Sequence, residues 1–155
     1  MRYLIEEELE IANHIMGIAA KEALKSTCQK SKRGAIIVRE NKIISAGRND
    51  PPLDTRCVPE FCMKICRDYT IHAEQNAILN ALAIGQVLRG SRMYHEKIKS
   101  GNVEVVPKPD EKSYLQCSKL ILHTGIEEYV LRHKDGIAVY SAREFYDFTL
   151  RTALI

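Results

Sequence analysis

A histidine and a glutamate two residues apart, His72 and Glu74, open the otherwise apolar stretch "HAEQNAILNAL". An imidazole can ligate a transition metal, and a carboxylate near that metal can take up and return a proton, so the pair suits metal-assisted hydrolysis. Cys117, in "SYLQCSKLI", adds a thiol near the start of a second helical stretch, where the positive end of the helix dipole favours a thiolate. Zinc accepts both donors, and a catalytic zinc keeps one position open for water. Taken alone, His-x-Glu is equally the polar start of a buried helix, so the surroundings must decide.

Cys57, Cys62 and Cys66 sit shortly before His72. The N-terminal "MRYLIEEELE" carries acids where an export signal needs bases, and in such a chain cysteines more often serve as buried thiols or metal ligands than as disulfides. Their spacing is compatible with a structural zinc, with His95 as a fourth ligand if its strand runs alongside, and equally with three buried thiols. Cys28 reads as a core thiol.

The elements that must position these groups follow from periodicity. Ile5, Leu9, Ala12, Met16, Ala19 and Ala23 make one helical stripe, with Glu6 to Glu8 at its start. "AIIV" (35–38) and "IISAG" (43–47) flank the polar turn "RENK" and predict a hairpin, which "RNDPPLD" ends because paired prolines cannot donate to a ladder. Residues 48–69 read as an irregular loop that is functional or tied down. The helix carrying Glu74 is expected over 70–83, apolar on most faces. A third strand over 91–98, a polar surface excursion over 99–112 and a helix from Tyr114 to His123, stopped by Gly125, come next. "EYVLR" predicts a fourth strand and "HKDG" a turn. The S-x-x-E box of Ser141 and Glu144 starts a final helix that buries Phe145 and Phe148. This alternation predicts an α/β fold, a three-layer α/β/α sandwich on a central mixed sheet, as one domain spanning 1–155. Two helix starts at one end of that sheet would bring His72 and Cys117 into one pocket.

The 155 residues, 45% apolar and 28% charged, suffice for one core. A scattered net charge of +3 predicts no nucleic-acid-binding stripe and tolerates a phosphate-bearing small ligand. No apolar run approaches the roughly 18 to 20 residues of a membrane span, and a cytoplasmic protein is expected.

"IHAEQNAI" followed by "LQCSKLILHTGIEEYVL", with "GRND" after the hairpin, resembles the zinc-dependent cytidine and deoxycytidylate deaminase superfamily, whose signature is H-x-E followed by P-C-x-x-C. The likeness in element order spans nearly the whole chain. It implies the cytidine-deaminase-like sandwich and hydrolytic deamination of a cytosine-type nucleotide or nucleoside, most like deoxycytidylate. By the same resemblance His72 and Cys117 are zinc ligands, Glu74 shuttles protons to the ring nitrogen and the departing ammonia, and Asn49 reaches the substrate sugar. Locally, Asn49 also reads as a turn residue. The resemblance further implies zinc as cofactor, a homo-oligomer, and in some relatives an extra zinc near the segment holding Cys57, Cys62 and Cys66. "HAEQNA" is similar to tRNA adenosine deaminases as well, but the basic surface they carry is not evident, so a free nucleotide is the expected ligand.

The signature asks for two cysteines three apart, and here Tyr114 stands at the first position, with Ser113 in place of the proline. His72 and Cys117 leave zinc one protein ligand short of the usual three plus water. Three readings stay open. Tyr114 ligates as a phenolate; a thiol of the 57–66 cluster swings in; or the zinc site is degenerate and the fold binds a nucleotide or partner without turnover.

Overall fold

Side chains alternate across a strand, and residues 35–37 show the result: Ala35 and Ile37 face one apolar cluster and Ile36 another. The computed structural model describes residues 1–53, 55–105 and 114–155. Among the described residues seven strands make one sheet: β1 (Arg2–Tyr3), β2 (Lys32–Arg39), β3 (Lys42–Arg48), β4 (Arg92–Lys99), β5 (Asn102–Glu104), β6 (Glu128–His133) and β7 (Gly136–Ser141). Their order is β1-β7-β6-β4-β2-β3, with β5 on the far end of β4. β4 and β6 run parallel and the other pairs antiparallel.

The helices are α1 (Glu6–Leu24), α2 (Pro59–Tyr69), α3 (Ala73–Ala83), α4 (Tyr114–His123) and α5 (Ala142–Ala153). α1 covers one face, packing Ala12, Ile15, Met16 and Ala19 on Ile36, Tyr94, Val130 and Val139. α3, α4 and α5 cover the other, with Ala77, Ile78, Ile121 and Phe145 against Ile37, Met93, Tyr129 and Leu131. The expected α/β/α sandwich on a mixed sheet is therefore observed.

Several elements differ from expectation. Residues 48–69 contain α2, which starts on Pro59, where a missing N–H costs no helical bond. It buries only Cys62 and leaves helical geometry at Ile65. The next helix begins at Ala73 instead of Thr70, because Ile71 pairs with Asp50 in an isolated antiparallel bridge. Asp50 is anchored in turn: its Oδ1 accepts from the Thr27 N–H at 2.8 Å and the Thr27 hydroxyl at 2.7 Å, and its Oδ2 from Arg48 Nε at 2.9 Å. After the "HKDG" turn the chain returns as β7, a strand the sequence reading did not place. β1 and β5, two and three residues long, are too short for periodicity to reveal. The excursion expected over 99–112 begins as the β4–β5 hairpin, and residues 106–113 lie outside those described. On α1, Ile5 is the N-cap and stands exposed instead of joining the stripe. On α5, Phe145 is buried as expected, but Thr149 takes the inner position assigned to Phe148. Leu79 and Leu82 leave one side of α3 apolar and exposed.

Gly47 sets the height of α3 over the sheet. A Cβ there would lie 2.2 Å from the Ala77 nitrogen and 2.5 Å from the Ala73 oxygen, so β3 meets the start of α3 backbone to backbone. Gly125 (φ +84°) follows α4 in the left-handed conformation expected of it. Among the described residues no helix is long and apolar enough to cross a membrane.

Candidate active site

His72 is the N-cap of α3, its backbone N–H donating to Gln75 Oε1 at 3.0 Å. Cys117 comes from the first turns of α4, and its Sγ stands 3.3 Å from His72 Nδ1. Two ligand atoms on one tetrahedral zinc, with bonds near 2.0 and 2.3 Å, sit about 3.5 Å apart, so this pair fits the metal in both donor type and spacing. Glu74, the second residue of α3, joins them: potential ligand atoms of His72, Glu74 and Cys117 all lie within 4.8 Å of one another. The two helix starts meet as the sequence suggested.

Glu74 is 2% exposed and has a different neighbour on each oxygen. Oε1 accepts from the Tyr129 hydroxyl at 2.7 Å, and Oε2 faces Cys117 Sγ at 3.7 Å. His95 Nε2 lies 3.8 Å from Oε1, and neither of its ring nitrogens has a hydrogen-bond partner among the described residues. Burial opposes the Glu74 charge, but protonated His95, the Tyr129 hydroxyl, the Glu74 amide and Arg33 outweigh it and hold the carboxyl below the usual range. Burial also pushes His95 down to about 4, so at neutral pH its ring is uncharged and the other three groups support the anion. Burial, then the Glu74 charge, push the Cys117 thiol well above its ordinary value. A coordinated dication would reverse that balance and favour the thiolate.

Tyr114 is buried in the first turn of α4, its ring edge-on to Phe145 with centroids 6.0 Å apart. Its hydroxyl accepts from Arg33 Nη1 at 3.2 Å, and the guanidinium carbon lies 5.9 Å from the ring centroid. Burial works against the Arg33 charge, while Tyr114 and Glu74 more than offset it.

His72, Glu74, Cys117, Tyr114 and Arg33 line a cavity of about 250 Å³ whose wall also includes Lys30, Asn49, Cys66 and Arg67. Lys30, Arg33 and Arg67 make that wall cationic. Asn49 braces β2 as well: its Oδ1 accepts from the Arg33 N–H at 2.7 Å, and its Nδ2 donates to the Ser31 carbonyl at 3.0 Å. Cys57 and Cys62 are buried and Cys66 half-buried. Burial, then Cys66 and Cys57 beside it, push the Cys62 thiol up to about 12. The kink at Ile65 falls between Cys62 and Cys66, and Cys66 Sγ lies 3.6 Å from Thr70 Oγ1. His95 is not placed as a fourth ligand for these cysteines. It is wholly buried on β4, its ring centroid 6.2 Å from that of Tyr129.

Sequence reasoning missed Arg33, Tyr129 and the true setting of His95. The signal was present as polar groups at inward positions of apolar strands, since Tyr129 alternates with Val130 and His95 with Tyr94.

Comparison with known proteins agrees with this geometry. Residues 9–133 match the model of the cytidine and deoxycytidylate deaminase zinc-binding region. ComE operon protein 2 of Bacillus subtilis is 35% identical over 109 residues, covering 68% of this chain and 50% of that protein. The deoxycytidylate deaminase of Saccharomyces cerevisiae is 30% identical over 128 residues, covering 76% of this chain and 36% of its own. That of Mycobacterium phage D29 is 28% identical over 131 residues, covering 76% and 90%. The chain thus spans half or less of the length of the first two relatives. Among solved structures, apo dCMP deaminase from the cyanophage S-TIM5 aligns with a TM-score of 0.58 and 26% identity, covering 81% of this chain and 82% of that one. Its complex with dCMP and dUMP shares the fold over 97% and 96% of the two chains, with a TM-score of 0.63 at 24% identity. With a family match across residues 9–133 and the His72–Cys117 pair at its centre, the chain belongs to the cytidine and deoxycytidylate deaminase family.

Proposed function

We propose that the protein is a zinc-dependent hydrolytic deaminase of a cytosine-type nucleotide or nucleoside, with a deoxycytidylate-like molecule as substrate. The supporting observation is the 3.3 Å approach of His72 Nδ1 to Cys117 Sγ, with Glu74 beside them, in a chain of this family. His72 and Cys117 would hold the metal. Bound zinc supplies a water acidic enough to attack at neutral pH. Glu74, with Oε2 toward Cys117, moves a proton to the ring nitrogen and then to the departing ammonia. Asn49 contacts the sugar from the cavity wall, and Lys30, Arg33 and Arg67 favour a ligand carrying phosphate. A small nucleotide, not a nucleic acid, is the proposed partner.

Cys57, Cys62 and Cys66 would hold a second, structural zinc that tethers α2 to the preceding segment. Exposed Leu79, Leu82, Ile84 and Val87, at the end of α3 and just after it, support a homo-oligomer. A cytoplasmic location completes the proposal. The test is zinc analysis of the purified protein beside ammonia release from deoxycytidylate, cytidylate and the free nucleosides. Turnover abolished by Glu74→Gln supports the reading; no zinc and no turnover on any of the four overturn it.

A further inference from the structure

Glu74 has two fates open to it. Its carboxylate lies within 4.8 Å of both His72 and Cys117, close enough to bind a metal with them as a third protein ligand. A carboxylate bound in that way has lost the freedom to carry protons. The surroundings of its two oxygens bear on which fate prevails. Oε1 accepts from the Tyr129 hydroxyl at 2.7 Å, while Oε2 faces the Cys117 sulfur at 3.7 Å.

We infer that Tyr129 is the positioning residue that keeps Glu74 off the metal: by holding Oε1 against β6 it leaves the carboxylate a proton carrier and prevents it from becoming a third protein ligand. Tyr129 is suited to this because it cannot turn away. It is wholly buried, with its ring centroid 4.5 Å from that of Phe145 and 6.2 Å from that of His95. A hydrogen bond to an ionised oxygen is among the stronger kinds, and a buried carboxylate oxygen stripped of its donor bears the full cost of desolvation. His95, at 3.8 Å, stands too far from Oε1 to take over as donor. Without the hydroxyl, the metal becomes the best remaining partner for Glu74.

The rate consequence rests on the deaminase reading, and the metal consequence does not. The experiment compares the wild-type protein, Tyr129→Phe, Glu74→Gln and the double variant. Zinc affinity is measured by competition with a chromogenic chelator, and coordination by the visible bands of the cobalt(II)-substituted proteins. Tyr129→Phe should bind zinc about 10-fold tighter and alter the cobalt spectrum as an oxygen ligand is added. Its kcat should fall about 10-fold or more, with KM within about twofold of the wild type. In the Glu74→Gln background the same change should leave zinc affinity unmoved. Unchanged or weaker zinc binding by Tyr129→Phe, an equal shift in both backgrounds, or no zinc taken up by either protein would overturn the inference. If phenylalanine disturbs folding, Tyr129→Met should give the same signs. A wild-type protein without turnover on any nucleotide sinks the deaminase reading, while the affinity and cobalt data still decide the role of Tyr129.

Discussion

Two carboxylates are buried on opposite faces of the sheet, and they are held in opposite ways. Glu96 on β4 is 1% exposed and paired with Arg132 on the neighbouring β6, its Oε2 accepting from Nε at 3.1 Å and Nη2 at 3.0 Å. Glu74 meets the hydroxyl of Tyr129 and the uncharged ring of His95, with its second oxygen toward the pocket. The forked bond to a guanidinium locks Glu96 in one orientation. A single hydroxyl orients Glu74 without neutralising it. Burial still raises the Glu96 carboxyl despite Arg132, whereas the groups around Glu74 lower it. The carboxylate paired with a guanidinium is locked, and the one paired with a hydroxyl is given a direction.

Glu74→Gln should show the largest effect, lowering kcat at least about 100-fold while the melting temperature stays near that of the wild type. Arg132→Met should do the reverse. It strands Glu96 in the core and costs about 2 kcal/mol of stability, reduced from the fully buried case because Arg132 is 28% exposed, and its signature is a lower denaturation midpoint at unchanged KM. Tyr114→Cys adds the thiolate that the family signature expects and should tighten zinc binding about 10-fold, read by chelator competition. An equal affinity would mean that another group already fills that position. The smallest effects concern pH. Glu8, half-buried between Arg2 and Arg92, is lowered from 4.5 to about 2, first by the Arg2 hydrogen bonds. Its contribution is present above pH 4.5 and fades as pH falls toward 2, so the gap in melting temperature between the wild type and Glu8→Gln should narrow across that window. Glu96, raised by burial, has the opposite sign: whatever its protonated form contributes is lost as pH rises through its folded pKa.

What could be read from the sequence was whatever repeats or has a signature. The helices α1, α3, α4 and α5, the β2–β3 hairpin and the His72, Glu74 and Cys117 triplet carry periodicity or a motif, and the structure has each of them, with α3 starting three residues later than expected. β7 was missed because "GIAVYS" runs directly into the Ser141 cap and was absorbed by it. α2 was missed because the paired prolines Pro51 and Pro52 made residues 48–69 read as one irregular loop. The Arg33–Tyr114 and Tyr129–Glu74 contacts join residues 81 and 55 positions apart, and no local pattern reports such pairings. They exist because β2 and β6 flank β4 and turn alternate side chains toward α3 and α4.

The Asp50–Ile71 bridge gives the molecule a separation of parts. Asp50 N–H donates to the Ile71 carbonyl at 3.2 Å and Ile71 N–H to the Asp50 carbonyl at 2.8 Å, so residues 51–70 leave and re-enter the fold through one fixed gate. Whatever lies beyond that gate contributes Cys66, Arg67 and Thr70 to the cavity wall without setting the height of His72. Closing a loop twice as long costs only about 0.6 kcal/mol more. The segment can therefore change in length at small cost in closure while His72, one residue past the gate, stays in register.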